Sequence, residues 1–195
     1  MFVKGPPRVQ IAFLTGRSNP GSCALSPVQQ AFLERLAGPE RVLIPYNFPY
    51  LPTDQPHRAT GLLRASLNNY REFRASRNPV YLQCYRPVVG ALLERASRTV
   101  FLAGSCGLEL LSNLRLDVED LARTFAFAYG PVARALPECH CVVVQGRKDW
   151  LSKWFVAAPD FHIDCGHLDY LRHEQVFRTC EALVRRVVGN TGMVT

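Results

Sequence analysis

The sequence predicts a three-layer αβα fold around a mostly parallel sheet of about six strands. Two observations carry that prediction. Short apolar or β-branched runs alternate with segments of helical periodicity along the chain. The strand-like runs are apolar on both alternating faces, as in Val9–Leu14 and Thr99–Ala103, which marks strands covered on two sides.

The elements follow in order. Residues 1–7 read as a loose lead, and Val9–Leu14 is the first strand, ended by Thr15-Gly16-Arg17. Residues 18–26 are rich in Ser, Gly, Asn and Pro and form a loop by turn chemistry. Ser26-Pro27 opens a helix with an N-cap serine and a first-turn proline, and Val28, Phe32, Leu33 and Leu36 share its inner face. Gly38-Pro39 stops it. Arg41–Ile44 is the second strand, followed by the aromatic, proline-rich loop Pro45–Pro52. Leu62–Arg74 and Val80–Ala96 read as helices, with Pro87 a kink or break in the second.

The third strand, Thr99–Ala103, runs into Gly104-Ser105-Cys106-Gly107 and then an apolar helical run through Leu114. Val118–Arg123 is a short helix, Thr124–Tyr129 a strand closed by Gly130-Pro131, His140–Val144 a strand, Trp150–Phe155 a helix and Phe161–Ile163 a short strand. Leu168–Val188 closes the chain as one amphipathic helix with Leu171, Val176, Phe177, Cys180, Leu183, Val184 and Val187 inward. There is no internal repeat, and no linker divides the chain, so residues 1–195 read as one domain. Any small helical cap would come from 52–98, the longest segment between strands.

Composition narrows the function. The chain has 195 residues, 48% of them hydrophobic and 20% charged, which are ordinary globular values. No apolar run reaches the ~18 residues of a membrane span, and the N-terminus has no signal-peptide pattern, so a cytoplasmic location is expected. Seven cysteines without framework spacing fit a reducing compartment. In Cys139-His140-Cys141, neighbouring side chains point to opposite faces of a strand and cannot converge on one metal ion; no metal site and no cofactor is expected. The net charge of +7 favours an acidic partner, but it is carried by scattered single arginines rather than a tail. No helix-turn-helix, zinc-finger or RNA-binding signature accompanies it, so nucleic acid is not expected as a partner. A basic, non-catalytic binding module is the competing class.

In open parallel sheets, ligands sit outside the carboxyl ends of the strands. Those ends deliver Thr15-Gly16-Arg17, Ser105, Gly146-Arg147-Lys148-Asp149 and Asp164-Cys165-Gly166-His167. A serine, a carboxylate and a histidine thus reach one sheet edge. A serine hydroxyl needs a base to remove its proton, and that base needs a carboxylate to fix its tautomer, so the set fits nucleophilic acyl transfer. Around Ser105 the strand–turn–helix has small residues two before and two after, Ala103 and Gly107, as a strained nucleophile turn requires. Centring the turn on Cys106 puts Leu108 at the far small position, although a thiol there stays open as an alternative. Asp164 and Asp169, close to His167, are rivals to Asp149.

On these residues, A-G-S-C-G at 103–107, G-R-K-D at 146–149 and G-H at 166–167, the chain resembles the α/β-hydrolase family of serine esterases and thioesterases. The resemblance covers Val9 to the end. It implies Ser105 as nucleophile, His167 as general base and Asp149 as orienting acid. It implies an oxyanion hole made by the backbone N–H groups of Cys106 and Arg17. The chain departs from the family in having Ala103 for the first glycine and Thr15 for the usual histidine, and in lacking room for the first N-terminal strands. Only 17 residues lie between Asp149 and His167, a short connection. Tyr46, Phe48 and Trp150 are expected to flank the site as an apolar substrate pocket. The arginines at 64, 71, 74, 77 and 86 would suit an acidic acyl-carrier protein delivering the acyl group.

Overall fold

The computed structural model describes residues 9–51 and 57–189. The expected lead at residues 1–7, the space for N-terminal strands and part of the cap segment lie outside the described residues. Six strands, β1 (Val9–Thr15), β2 (Arg41–Asn47), β3 (Arg98–Gly104), β4 (Thr124–Tyr129), β5 (His140–Gly146) and β6 (Phe161–Ile163), form one sheet in the order β2-β1-β3-β4-β5-β6. Every neighbouring pair is parallel. Among the described residues seven α-helices flank the sheet: α1 (Pro27–Arg35), α2 (Leu62–Ala75), α3 (Pro79–Leu93), α4 (Gly107–Asn113), α5 (Val118–Ala122), α6 (Trp150–Phe155) and α7 (Glu174–Gly189). The three-layer parallel α/β architecture read from the sequence is the one observed.

Alternation along each central strand divides the core. Val9, Ile11 and Phe13 of β1 join Val100, Leu102 and Phe127 beneath α1 and α7, which contribute Phe32, Leu33, Val176, Cys180 and Val184. Ala12 and Leu14 join Phe101, Ala103, Ala126 and Ala128 beneath α3 and α4, which contribute Val89, Leu92, Leu93, Leu108 and Leu111. Burying both faces of these strands supplies most of the hydrophobic driving force, at about 25 cal/mol per Å² of apolar surface removed from water.

The caps follow the local chemistry. Ser26 and Gln29 form a reciprocal capping box at α1, with Pro27 in the first turn. Asn78 caps α3 and Asp117 caps α5. Three boundaries differ from the sequence reading by three residues or more. β2 runs on to Asn47, because Asn47 N–H donates to the Cys23 carbonyl and its side chain clasps Thr15. α3 continues through Pro87 and stops at Leu93. The closing helix starts at Glu174 rather than Leu168, since Tyr170–Arg172 forms a short 3-10 turn that carries the buried Tyr170 to the sheet edge.

The strand order also sets the place of the site. From β1 the chain steps outward to β2, then crosses back to β3 on the other side of β1. The switch point therefore lies between the carboxyl ends of β1 and β3. Arg17 follows the first of these ends and Ser105 the second.

Candidate active site

Ser105 sits immediately beyond β3 with a backbone φ of 50°. That left-handed conformation is rare for a residue with a side chain and costs of order 1–3 kcal/mol, so the surroundings must enforce it. They do so on both sides. Ser105 N–H donates to the Tyr129 carbonyl at 3.4 Å, and Ser105 C=O accepts from Val132 N–H at 2.8 Å. Gly107 lies so close to β1 that a Cβ there would run into the Leu14 carbonyl oxygen. The glycine read from the sequence is therefore a requirement of close backbone approach. The Ser105 hydroxyl makes no hydrogen bond within the described chain, and Ser105 lines a cavity of about 780 Å³.

His167 lines the same cavity. Its Nδ1 lies 2.8 Å from Asp149 Oδ2. With the carboxylate accepting, Nδ1 carries the proton and Nε2 is the basic nitrogen. No hydrogen bond joins His167 to Ser105 within the described chain. Asp149, rather than Asp164 or Asp169, is the carboxylate on His167. Asp164 is exposed and paired with Lys148 at 3.1 Å.

Asp149 is almost wholly buried, 1% exposed, and its oxygens are fully engaged. Oδ2 also accepts from Tyr170 Oη at 2.6 Å, and Oδ1 accepts from Ser152 N–H at 3.0 Å. Asp149 thus caps α6 and orients His167 at once. Burial pushes its carboxyl pKa up, but the hydrogen bonds from His167, Ser152 and Tyr170 outweigh this and hold it below the ordinary aspartate range. Tyr170 was not among the residues the sequence singled out. It lies within an apolar-periodic stretch that reads as helix, and only the tertiary fold brings it to Asp149. The accommodating position is Gly130, at φ 54°, where a Cβ would lie 2.5 Å from the Tyr170 ring and 2.9 Å from Asp149 Oδ2.

Cys106, beside Ser105 at the cavity, carries a buried thiol. Its side chain is buried against Gly16, and burial, reinforced by the nearby Glu72 charge, pushes its thiol pKa up to about 12. A neutral thiol is a poor nucleophile at pH 7. The Cys106 backbone N–H remains at the start of α4, beside Ser105. The Arg17 N–H, expected as the second oxyanion donor, is engaged: it donates to Glu72 Oε2 at 2.6 Å, while Arg17 Nε donates to Oε1 at 2.5 Å.

The substrate-pocket expectation needs correction. None of Tyr46, Phe48 and Trp150 lines the cavity. Phe48 is 1% exposed and sits in a ring cluster with Tyr50, Tyr81 and Tyr85. Tyr46 is half-buried and bridges to Ala24 at the β2 edge. Trp150 is 76% exposed. The reason is helical phase: on α6, Leu151 and Phe155 face inward at i and i+4, which turns Trp150 and Trp154 to solvent. The aromatic wall comes instead from Tyr70 and Phe73 of α2, with Phe73 edge-on to Phe155 at 5.9 Å.

Of the arginines expected to greet an acidic carrier, Arg77 is held by the buried Glu109 at 3.1 Å and Arg86 is paired with Asp117 at 3.7 Å. Arg64, Arg71 and Arg74 are exposed on α2. Among the described residues no three His, Cys, Asp or Glu side chains gather as a metal site. The Cys139 and Cys141 thiols stand 3.8 Å apart, and His140 turns to Arg186. No described helix is long and apolar enough to cross a membrane. No protein-family model matches the chain, and no curated protein matches it.

Proposed function

We propose that this chain is a serine hydrolase that cleaves an ester or thioester through an acyl-enzyme intermediate. The observation that carries the proposal is the convergence on one cavity of a left-handed Ser105, its hydroxyl without a partner in the described chain, and a His167 already oriented by Asp149. Strain of this kind clusters where function requires it, and a buried carboxylate on Nδ1 is what a catalytic imidazole needs.

The steps follow from the residues. His167 Nε2 accepts the Ser105 hydroxyl proton as Oγ attacks the carbonyl carbon. The carbonyl oxygen becomes an oxyanion beside the Cys106 N–H. Asp149 stays ionised and stabilises the imidazolium; its low pKa suits that role. Collapse breaks the bond to the alcohol or thiol, which takes the proton from His167. A water, deprotonated by His167, then attacks the acyl carbon; the bond to Ser105 Oγ breaks, Oγ takes the proton back from His167, and the acid leaves. The apolar wall of Tyr70, Phe73, Leu151 and Phe155 would hold the acyl group. The exposed Arg64, Arg71 and Arg74 lie on α2, the helix that brings Tyr70 and Phe73 to the cavity, and would receive an acidic acyl-carrier protein if the acyl group arrives tethered.

A fluorophosphonate probe tests the reading. Wild-type protein is expected to be labelled, and Ser105→Ala is not. An unlabelled wild type that binds anionic polymers with steep salt dependence would instead favour the basic binding module.

A further inference from the structure

Resting on the serine-hydrolase reading, a question of donors arises at the oxyanion site. One backbone donor, Cys106 N–H, stands beside Ser105. The other expected one, Arg17 N–H, is bound to a carboxylate through a two-point contact: both Arg17 N and Arg17 Nε donate to Glu72. The Glu72 side chain is only 14% exposed, so this charge-assisted pairing is shielded from water and well held. A carbonyl oxygen arriving at the site cannot use an amide that a carboxylate already fills.

One turn earlier on the same face of α2 stands Asn69, which lines the cavity. Its side chain makes no hydrogen bond within the described chain, and its Oδ1 is buried without a partner. A buried, unsatisfied amide oxygen costs roughly 1–3 kcal/mol, so its retention calls for a reason. Its location supplies one. The point where a Gly16 Cβ would sit lies 2.8 Å from Asn69 Oδ1 and 2.7 Å from Cys106 Sγ. The amide is therefore wedged against Gly16, next to the residue that gives the first oxyanion donor. With Oδ1 turned inward, Nδ2 is the end left for the cavity.

We infer that Asn69 Nδ2–H is the second oxyanion donor, taking the role that the resemblance assigns to Arg17 N–H. Glu72 and Arg17 then serve to fix the β1 loop and α2 against each other, which holds Asn69 in place. As a neutral side-chain donor, Asn69 would gain strength only as negative charge develops on the carbonyl oxygen, which lowers the barrier without tightening substrate binding.

The test measures kcat and KM on a p-nitrophenyl butyrate series for Asn69→Ala and for Asn69→Leu, which keeps nearly the same volume but has no donor. The expected result is a fall in kcat of about 10²–10³-fold with KM changed less than about threefold. Affinity for a phenylboronic acid, whose tetrahedral adduct carries the oxyanion-like charge, should fall in parallel, while the thermal midpoint of Asn69→Leu stays near wild type, since no hydrogen bond within the described chain is lost. A kcat within about threefold of wild type in both variants would overturn the inference. So would silent Asn69 variants beside a Glu72→Ala variant of raised kcat, which would return the second donor to Arg17. Fluorophosphonate labelling of the wild type keeps the two levels apart: labelling with silent Asn69 variants removes only this inference, and absent labelling removes the hydrolase reading with it.

Discussion

Tyr170 Oη lies 2.6 Å from Asp149 Oδ2, the oxygen that His167 Nδ1 approaches at 2.8 Å, and the same hydroxyl accepts from Gly146 N–H at 2.7 Å. One phenol thus ties the end of β5 to the carboxylate that orients the imidazole. Tyr170→Phe keeps the ring packing and deletes the link. It leaves a buried amide unpaired and Asp149 with one fewer donor, so a loss of about 1–3 kcal/mol is expected in urea unfolding. The fluorophosphonate labelling rate should fall as well, because His167 loses part of its anchorage. Unchanged stability would mean that water replaces the phenol at both partners.

Gly107→Ala tests the sharp turn after Ser105. The added methyl would meet the Leu14 carbonyl oxygen, a backbone atom in the central strand that cannot turn aside. Relief requires α4 to move off β1, taking Ser105 with it. The expected cost is about 3 kcal/mol or more, above the usual range for a single methyl, read as a lowered thermal midpoint. Gly90→Ala, in α3, is the control: nothing lies within 4 Å of a Cβ there, and replacing a helix-interior glycine should be neutral or mildly stabilising.

Glu109, two residues beyond Gly107 on α4, is a buried hub. It accepts from Arg77 Nε, Arg134 N–H, Arg134 Nε and Asn113 Nδ2. Burial raises its carboxyl pKa, but the hydrogen bonds, that from Arg134 N–H first, outweigh burial and set it below the ordinary glutamate value of 4.5. A carboxyl depressed in the folded state binds protons more readily when unfolded. Its contribution is therefore complete above the unfolded pKa and is lost as pH falls through the folded one. Glu109→Gln should cost about 2 kcal/mol at pH 7 by losing charge-assisted bonds. The gap to wild type should narrow in unfolding curves taken below about pH 4.5. A gap that stays constant down to pH 3 would show that shape, not charge, sets the difference.

How much of this was legible in the sequence depends on range. The strands, the Ser26 cap and the turn at Ser105 and Gly107 depend on local periodicity and small-residue spacing, and they could be read directly. The pairing of Asp149 with His167 was legible because strand ends in a parallel sheet converge on one edge. Tyr170, Asn69, Glu72 and Glu109 were not. Each belongs to a helix-like stretch where a polar or aromatic residue reads as surface or core; Tyr170, Glu72 and Glu109 find their partners across the fold, and Asn69 reaches Gly16 only through the packing of α2 on the β1 loop. Trp150 failed for the opposite reason: proximity to Asp149 in sequence put it near the site, but one residue of helix phase turned it outward.

That phase difference gives the last prediction. Leu151 and Phe155 line the cavity, whereas Trp150 and Trp154 on the same helix are 76% and 84% exposed. If α6 contributes to acyl selection, it does so through its inner residues. Phe155→Ala would open space against Phe73, its edge-on neighbour at 5.9 Å. The optimum in a p-nitrophenyl ester series is then expected to move to longer chains, by roughly the two to four carbons that a lost phenyl ring can hold, since each buried methylene is worth about 0.8 kcal/mol. The enlarged cavity should also lower stability by about 3–5 kcal/mol if it stays unfilled, less because Phe155 is only partly buried. Trp150→Ala should leave both the chain-length optimum and kcat/KM within twofold of wild type. Were Trp150→Ala to shift the optimum and Phe155→Ala to leave it in place, the acyl group would have to lie on the outer face of α6, and the cavity would lose its claim as the acyl site.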